Sequence, residues 1–461
     1  MYKFNEKYVQ IWRESEGITL INHMWFGVEY FSRYGFKSIY QSITEEQLDV
    51  LLNLHKYKSE EIFSSIGKSK YDALVKFKYI VDENEELKSK PIDYSVQGDN
   101  LSSYLKSLYG IEQMSSPTKI QLLLTYRCFG NCSFCITNST KVSRVEELSD
   151  DDWEKVARKI VEQLHPCQVY LIGGEPLLRE KAVLKICKIL VENNIMVRII
   201  TNGIVLKNKN FCAELSSILK GRRHYIQISI DGNEKEHNKI RPGAKYKDII
   251  EGIKELAEFD LIWGANITIT KSNQHCLFDI FNDIRDYYPC HFEIGPLQTS
   301  VKDMDLCKSI VLDKNDEMKL METIDKLKVQ YPDVDIVYNK RIPIYETGEN
   351  AKGENQKYQM CSSFDKLLSI GADGRVIPCL RGCVHPEFYA ENVLKEDLDY
   401  IWKNGRLKNI FQRIELKGKC KHCEYNQQCS QGCPLETYVL TGVLGGYNPN
   451  CTYEPKSNNE I

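Results

Sequence analysis

The sequence has almost no excess of charge of either sign. Its 461 residues include 61 lysines and arginines against 64 aspartates and glutamates, and the net charge is -3. Without a basic field, the chain as a whole cannot attract nucleic acid or an anionic membrane surface non-specifically. We therefore expect no nucleic-acid partner.

Long apolar runs are also missing. No stretch approaches the roughly 20 uncharged apolar residues that a membrane-spanning helix requires. The opening segment, MYKFNEKYVQIWRESEG, lacks the apolar core of a signal peptide. With 42% hydrophobic and 27% charged residues, the composition is that of a globular protein. These features predict a cytoplasmic protein without a membrane span, folded into roughly two to four domains.

Cysteine, by contrast, is abundant, with 17 in the chain. A reducing cytosol keeps thiols from forming disulfides, so many cysteines there indicate metal binding or catalysis. Most of them form one tight group and one C-terminal array. Six stand singly and are predicted to be small buried residues: Cys167, Cys187, Cys212, Cys276, Cys290 and Cys307.

Short apolar runs alternate with amphipathic segments in the middle of the chain. The runs predict six strands, at Ile120–Tyr126, Gln168–Gly174, Met196–Gly203, Tyr225–Gly232, Trp263–Thr270 and His291–Leu297. Strands that alternate with helices imply parallel βα units, and six in a row indicate an α/β fold with a barrel-like sheet. In such folds the chemistry lies at the C-terminal ends of the strands.

Residues 1–90 have a different pattern. A strand pair is expected around ITLINHMWFGVEYF, and helices are expected in TEEQLDVLLNL, SEEIFSSI and KYDALVKFKYIV. Thr44 and Ser59 are predicted as hydroxyl caps, since acids that favour a helix N-terminus follow each of them. This is the size of a winged-helix domain. Residues 91–118 are polar and interrupted by proline and glycine, which predicts a linker.

Cys128, Cys132 and Cys135 place three thiols within eight residues. A closed zinc site and ferredoxin-type clusters use four ligands, so three leave one metal position open. From the trio alone, a zinc site completed by a distant histidine remains an alternative. Cys-X3-Cys-X2-Cys after the first strand, with Gly173-Gly174-Glu175-Pro176 after the second, resembles the radical S-adenosylmethionine (radical SAM) superfamily. The resemblance implies a partial (β/α)6 TIM-like barrel over residues 119–335, and a cluster whose open iron is chelated by S-adenosylmethionine (SAM).

The same resemblance implies a set of SAM-binding residues. Gly173 and Gly174 would let the backbone approach a ligand closely, and the Glu175 carboxylate would accept from the methionyl ammonium. The family pattern further implies Phe134 beside the adenine, Ser229 or Arg241 at the methionyl carboxylate or ribose, and Asn202 as another contact. For Arg241 and Asn202, a solvated surface arginine and a plain turn residue remain the alternatives.

The C-terminal array has a specific spacing. Twelve residues separate Cys361 from Gly374 and four separate Gly374 from Cys379; Cys420-X2-Cys423-X5-Cys429-X3-Cys433 and Cys451 follow. A zinc ribbon needs two Cys-X2-Cys pairs, and only one is present. The spacing resembles the seven-cysteine SPASM domain, here residues 336–461, which implies two auxiliary iron–sulfur clusters. With the cluster at the trio, three 4Fe-4S clusters are expected.

Two fully ligated auxiliary cubanes need eight thiolates, and the motif supplies seven. The resemblance assigns Cys420, Cys423, Cys429 and Cys451 to one cluster. It assigns Cys361, Cys379 and Cys433 to the other, which is one ligand short. Cys383 could be the missing ligand or an ordinary thiol, and an iron open to a substrate thiol is equally consistent.

Two features bear on the substrate. In sulfatase-maturing relatives an aspartate follows the cysteine of the Gly-X4-Cys element, whereas Leu380 stands there in this chain. The small N-terminal domain, residues 1–90, resembles the leader-recognition element of enzymes that modify ribosomally made peptides. These resemblances predict a precursor peptide as partner, with a flavodoxin or ferredoxin as electron donor. The enzyme would abstract a hydrogen atom and form a thioether or other side-chain crosslink.

Two alternatives stay open at this point. A radical enzyme that acts on a small molecule, such as a tetrapyrrole side chain, would need no leader-binding domain. A zinc scaffold without enzymatic activity would contain no iron.

Overall fold

The structure is a computed structural model that describes residues 2–5, 9–14, 17–22, 40–82, 114–219, 224–297, 305, 309–332, 334–338, 361, 363–411, 414–423, 433–449, 451 and 453–455. Within them, no helix is long and apolar enough to cross a membrane.

The described residues of the N-terminal part form two small antiparallel sheets and three helices with an apolar core of their own. One sheet pairs β1 with β5 and the other has the order β2-β3-β4. The strands are β1 (Tyr2–Phe4), β2 (Val9–Glu14), β3 (Gly17–Asn22), β4 (Tyr40–Ile43) and β5 (Ile80–Asp82). The helices are α1 (Glu45–Leu52), α2 (Ser59–Ile66) and α3 (Lys68–Lys76).

The sequence located these elements only in part. The expected segment ITLIN is β3, but within the described residues it pairs with β2 and β4, and the rest of the predicted strand pair lies outside them. Thr44 caps α1 as predicted, because its side chain accepts from the Gln47 backbone. Ser59 is not a cap: it is the first residue of α2, and Lys58 precedes it as N-cap.

The central sheet has the strand order β12-β11-β10-β9-β8-β7-β6-β13-β14. Its neighbours are parallel except for the final pair, β13 and β14, which is antiparallel. The strands are β6 (Lys119–Leu123), β7 (Gln168–Ile172), β8 (Met196–Thr201), β9 (Tyr225–Ser229), β10 (Trp263–Ile269), β11 (His291–Pro296), β12 (Asp335–Tyr338), β13 (Leu367–Ile370) and β14 (Val376–Ile377). The six predicted strands are confirmed as β6–β11, and β12 adds a parallel strand that the sequence analysis missed.

Helices connect the strands and cover one face of this sheet. They are α4 (Asp150–Gln163), α5 (Glu180–Glu192), α6 (Lys209–Leu219), α7 (Glu234–Ile240), α8 (Tyr246–Glu258), α9 (Leu277–Ile284) and α10 (Lys314–Gln330). The C-terminal part adds α11 (Leu398–Asn404), α12 (Arg406–Phe411) and α13 (Pro434–Thr441).

The sheet is curved. Neighbouring strands lie about 4.8 Å apart, so β8 and β11, which have two strands between them, would be roughly 14 Å apart in a flat sheet. Across this span the Arg198 guanidinium donates to the Glu293 carboxylate at 2.6 Å. The helix-free face is therefore the inside of an open, partial barrel. Met114–Thr118, at the end of the predicted linker, are buried or half-buried against this part of the structure.

Candidate active site

The cysteine trio lies in the loop that leaves β6. All three thiols are half-buried, and backbone N–H groups approach two of them, from Gly130 to Cys128 Sγ at 3.3 Å and from Ser139 to Cys135 Sγ at 3.4 Å. N–H donors of this kind favour the thiolates that iron–sulfur clusters require.

The described residues contain no three His, Cys, Asp or Glu side chains that converge as tightly as a single metal ion requires. In a cubane the thiolates surround a larger body, so a wider arrangement is expected. The three thiols are nevertheless close enough for their charges to interact.

Gly173 and Gly174 let the loop after β7 lie directly on the cysteine loop. A Cβ at Gly173, whose φ is +140°, would be 2.4 Å from the Thr125 carbonyl oxygen, and one at Gly174 would be 2.3 Å from that of Arg127. The Gly174 N–H donates to Thr125 O at 2.7 Å. The close backbone approach expected here is thus made to the protein's own chain.

Glu175 is buried at the end of the same loop, with 2% of its surface exposed. Its Oε1 accepts from Thr201 Oγ1 at 2.7 Å and from the Leu177 N–H at 3.0 Å, and its Oε2 accepts from the Asn202 N–H at 2.7 Å. Burial raises the pKa of Glu175 to about 7, against the effect of these donors. Because a carboxylate offers about four lone-pair sites, these three bonds leave capacity for one more donor.

Asn202 is both a turn residue and a neighbour of the cysteine loop. Its Oδ1 accepts from the Ile204 N–H at 3.1 Å, which fixes the turn, and its Nδ2 lies 3.9 Å from Cys128 Sγ. Thr201, which precedes it, orients Glu175 and was missed by the sequence analysis.

Arg241 is not a solvated surface residue. Its side chain is 13% exposed and forms an ion pair with Asp231, which is fully buried and also accepts from the Thr268 N–H at 2.7 Å. The guanidinium Nη1 lies 3.7 Å from Cys132 Sγ, and the guanidinium carbon lies 6.0 Å from the Phe134 ring centre. Asp231 thus fixes Arg241 beside the cysteine loop.

A second contact joins this segment to the cysteine loop. The Gly243 N–H donates to Gly130 O at 3.1 Å, and a Cβ at Gly243 would lie 1.6 Å from Phe129 O. Ser229, the remaining predicted SAM contact, is buried at the C-terminal end of β9. The structure therefore places the predicted SAM residues around one loop at one end of the barrel.

In the C-terminal array, Cys361, Cys379 and Cys433 lie together against the main core. Burial raises the pKa of the Cys361 thiol to about 12 and that of Cys379 to about 11. The Glu436 N–H approaches Cys433 Sγ at 3.4 Å. The three thiols predicted to share one cluster are thus brought together.

The other predicted auxiliary ligands are described in part. Cys420 and Cys423 share a tight turn, in which the Cys423 N–H donates to Cys420 O at 3.4 Å. The Cys451 carbonyl accepts from Lys419 Nζ at 3.0 Å, which ties Cys451 to the same turn. Cys429 lies outside the described residues.

Cys383 is fully buried between the cysteine loop and the C-terminal array. Arg144 Nη2 donates to the Cys383 carbonyl at 2.7 Å and lies 3.5 Å from its sulfur, and Arg144 Nη1 donates to Thr137 O at 2.9 Å. The sulfur lies 4.0 Å from Thr137 O. The sequence pattern gave no signal for Arg144, which sits outside the cysteine motif and links it to the C-terminal part.

Comparison with known proteins explains this arrangement. Residues 122–284 match the Radical SAM superfamily, and residues 361–424 match SPASM, an iron–sulfur cluster-binding domain. The chain combines a radical SAM domain with a SPASM domain. It is thus an enzyme; the radical SAM domain binds SAM and a 4Fe-4S cluster, and the SPASM domain binds auxiliary iron–sulfur clusters.

Relatives of this radical SAM–SPASM chain have different named activities. It is 24% identical to the PqqA peptide cyclase of Bradyrhizobium diazoefficiens, over 75% of this chain and 88% of the relative. It is also 24% identical to the AdoMet-dependent heme synthase of Methanosarcina barkeri, over 75% of this chain and 99% of the relative.

Solved structures show the same fold. Streptococcus suis SuiB bound to precursor peptide SuiA matches with a TM-score of 0.69 at 17% identity, over 98% of this chain and 99% of that chain. Native anSMEcpe with bound AdoMet matches with a TM-score of 0.55 at 15% identity, over 72% of this chain and 93% of that chain. The α/β partial barrel predicted from the sequence is confirmed. The alternative of a non-enzymatic zinc scaffold is wrong, because the chain matches the Radical SAM superfamily and an iron–sulfur cluster-binding domain.

Proposed function

We propose that this radical SAM–SPASM enzyme modifies a ribosomally made precursor peptide, and that it forms a thioether or other side-chain crosslink. The peptide substrate is supported most by the extent of the match to SuiB. That match includes the N-terminal part and covers 98% of this chain, and the matched SuiB structure contains a precursor peptide. The PqqA peptide cyclase is a further relative named for a peptide substrate.

The N-terminal domain, residues 1–90, is the proposed leader-binding element. Among the residues that the structure describes, β2 and β4 are the outer strands of its three-stranded sheet. In the enzymes that this domain resembles, an extended leader peptide adds to the edge of a small sheet through main-chain hydrogen bonds. The Gln10 side chain donates to Pro166 O at 3.1 Å, which attaches β2 to the radical SAM domain.

SAM, when bound, supplies the 5'-deoxyadenosyl radical. The side chains around the cysteine loop bind and orient SAM. Glu175 accepts from the methionyl ammonium, using the capacity left by its three internal donors. Arg241, held by Asp231, offers its guanidinium to the methionyl carboxylate, with Ser229 towards the ribose and Phe134 beside the adenine. An electron donor such as flavodoxin or ferredoxin completes the system.

The thioether is the proposed crosslink because one auxiliary cluster is one cysteine short. Cys361, Cys379 and Cys433 lie together, and the Cys383 sulfur, although near enough to Cys379 for their charges to interact, lies beside Arg144 and Thr137 O. This placement supports an iron of that cluster that is open to a substrate thiolate. Coordination to a cationic iron would deprotonate the thiol and hold the sulfur for bond formation.

Co-expression with short reading frames from the same genomic neighbourhood tests the peptide substrate. Mass spectrometry should show a peptide that has lost two hydrogens for each crosslink, only when its leader is present. The matched control is the enzyme with Cys128, Cys132 and Cys135 changed to Ala, which should leave every peptide unmodified. If no such peptide is modified, whereas a tetrapyrrole carboxylic acid is consumed, the small-molecule alternative suggested by the heme synthase relative replaces the proposal.

A further inference from the structure

The inside of the barrel carries a buried polar network one residue layer below the active-site end. Arg198 on β8 donates to the Glu293 carboxylate on β11 at 2.6 Å. Gln227 on β9 joins them: it accepts from Arg198 at 2.8 Å and donates to the same Glu293 oxygen at 2.7 Å. The Arg198 guanidinium also lies 5.2 Å from the Tyr170 ring centre. None of these side chains is among the proposed SAM contacts.

The network presents its carboxylate, and not its guanidinium, to the inside of the barrel. The Glu293 side chain is 17% exposed, whereas that of Arg198 is 6% exposed. Burial raises the pKa of Glu293, but the charges of Arg198 and His291 and the hydrogen bonds from Gln227 and Arg198 together outweigh this effect and hold the pKa below its ordinary value. Glu293 is therefore ionised at neutral pH and acts only as a hydrogen-bond acceptor.

Next to this carboxylate, the described residues leave space on the same face of β11. Gly295 follows Glu293 on the same face of β11, one step closer to the strand end, because side chains two positions apart share a face. A Cβ at Gly295 would meet no described atom within 4 Å. Its φ is not in the left-handed region, so a side chain there would meet neither strain nor a clash among the described residues.

The other half of the barrel mouth is filled. Inner-face residues of β6 and β7, Leu123 and Ile172, pack against Ile377, Cys383 and Tyr389 of the SPASM domain. Among the described residues, the space at Gly295 lies on the side of the barrel that these SPASM residues leave uncovered, next to Leu297, which packs against Phe134. A substrate residue would reach Glu293 from this side.

We propose that the space at Gly295 is the subsite for the reacting residue of the substrate, and that Glu293 accepts a hydrogen bond from a neutral N–H group of that residue. The N–H group is neutral because Arg198 already balances the Glu293 charge, and a second cation would leave the network with a net charge. This inference rests on the proposed function, since it names the chemistry of the peptide residue that enters the barrel. An amide or indole side chain meets the requirement.

The first test installs a target in the subsite. Gly295→Leu enzyme is produced with deuterated leucine, reduced with dithionite and dithiothreitol, and supplied with SAM alone. If the space receives the reacting residue, a deuterium atom passes from a leucine carbon to the 5' carbon of the radical. 5'-Deoxyadenosine then forms, and the leucine carbon radical is reduced by hydrogen-atom transfer from the thiol.

Deuterium should therefore appear in 5'-deoxyadenosine from the variant and not from equally labelled wild-type enzyme. Deuterium at the wild-type level would overturn the subsite. SAM affinity and iron content are measured on the same samples by equilibrium dialysis and chemical analysis. A large loss of SAM affinity in Gly295→Leu would also overturn it, because the space would then belong to the cofactor.

The second test examines Glu293 as a hydrogen-bond acceptor by placing a donor side chain at position 295. Gly295→Gln can donate its side-chain amide to Glu293, whereas the matched Gly295→Glu places a second carboxylate beside it. The Gln variant should unfold at a higher temperature than the Glu variant, by roughly 2 °C or more. An equal or higher midpoint for the Glu variant contradicts the assignment. Neither test uses a precursor peptide, so failure to find a peptide substrate leaves both readouts interpretable.

Discussion

Glu175 shows how one buried carboxylate can serve the fold and a ligand at once. Its three internal donors come from the loop after β7 and from the end of β8 and the residue after it, so the side chain joins these segments besides making the proposed contact with SAM. A substitution there has two consequences, one for the loops and one for the ligand, and the two must be measured apart. Arg241 likewise combines structural contacts, with Asp231 and Cys132, with a proposed contact to SAM.

Glu175→Gln should weaken SAM binding by roughly ten- to a hundred-fold, since a hydrogen bond to a charged group contributes ~1.5 to 3 kcal/mol. Equilibrium dialysis with labelled SAM measures this, and iron content should not change. Thr201→Val is the matched control: it removes one donor to Glu175 and keeps the carboxylate, so SAM affinity should fall much less. Unchanged SAM binding in Glu175→Gln would refute the assignment.

Cys383→Ser distinguishes the two interpretations of the under-ligated cluster. Because the sulfur lies beside Arg144 and Thr137 O, we expect the variant to retain the wild-type auxiliary-cluster electron paramagnetic resonance spectrum without peptide. A cysteine-containing precursor should then perturb that spectrum, and a precursor with Ser for Cys should not. A disturbed spectrum in peptide-free Cys383→Ser would instead make Cys383 the permanent ligand.

At the scale of elements, the cysteine loop is held between two neighbours. The loop after β7 contacts it through Gly174, and the segment after α7 contacts it through Gly243. α7 itself is fixed by His237, whose Nδ1 accepts from the Asp231 N–H at 3.1 Å. Its Nε2 therefore carries the proton and donates to Ala244 O at 2.9 Å. A single buried imidazole thus positions both Asp231, the partner of Arg241, and the turn that reaches the cysteine loop.

Acid should loosen this arrangement. Burial, together with the Arg241 charge, lowers the pKa of His237 to about 4 despite Asp231 nearby, so the folded protein keeps the ring neutral. The unfolded chain binds a proton below its ordinary pKa of about 6.5, so stability is lost as the pH falls from about 6.5 to about 4. Between pH 7 and pH 5 the His237 contribution should fall by about 2 kcal/mol.

The measurement is the unfolding midpoint at both pH values under anaerobic conditions, for wild-type protein and for His237→Gln. The variant cannot titrate at this position, while other acid effects, including those on the clusters, are common to both proteins. The wild-type advantage over His237→Gln should therefore shrink on acidification. A constant difference between the two proteins at pH 7 and pH 5 would show that His237 does not titrate as proposed.

The sequence predicted those elements and residues that carry a local signal. The strands β6–β11 are continuous apolar runs, and the glycines beside Glu175 form a short motif. Asp231 and Arg144 could not be found in this way, because each acts through a partner that only the folded chain brings near. β12 was missed because its four residues, DIVY, are too short to give a strand pattern. They form a strand because the folded chain pairs them with β11. The predicted strands also extended past the observed ends into the loops that carry the motifs.

At the scale of the whole molecule, the radical SAM and SPASM domains share one sheet. β13, from the C-terminal part, pairs in parallel with β6, and Arg144 links the cysteine loop to Cys383. The described N-terminal part keeps a separate apolar core. The two cluster-bearing domains are thus expected to behave as one structural unit, with the N-terminal part attached to it.

The three proposed clusters predict a distinct iron stoichiometry. Anaerobically reconstituted protein should contain roughly twelve irons per chain if all three are cubanes. Changing Cys128, Cys132 and Cys135 together to Ala should remove about a third of the iron and all SAM cleavage. Chemical iron analysis and the yield of 5'-deoxyadenosine measure the two effects. Cleavage that survives the triple change would contradict the assignment of the radical cluster.

The pairing of β13 with β6 also imposes an order on synthesis. Ser369 and Gln121, which face each other across this pair, are 248 positions apart in the chain. A ribosome adds about 5 to 20 residues per second, so β6 waits roughly 12 to 50 s for this neighbour to be made. During that interval an apolar strand edge beside the cysteine loop stays unpaired, and oxygen, stray metal ions and other nascent chains can reach it. We therefore expect that a chaperone, or early insertion of the cluster, protects the β6 edge until β13 has been synthesised.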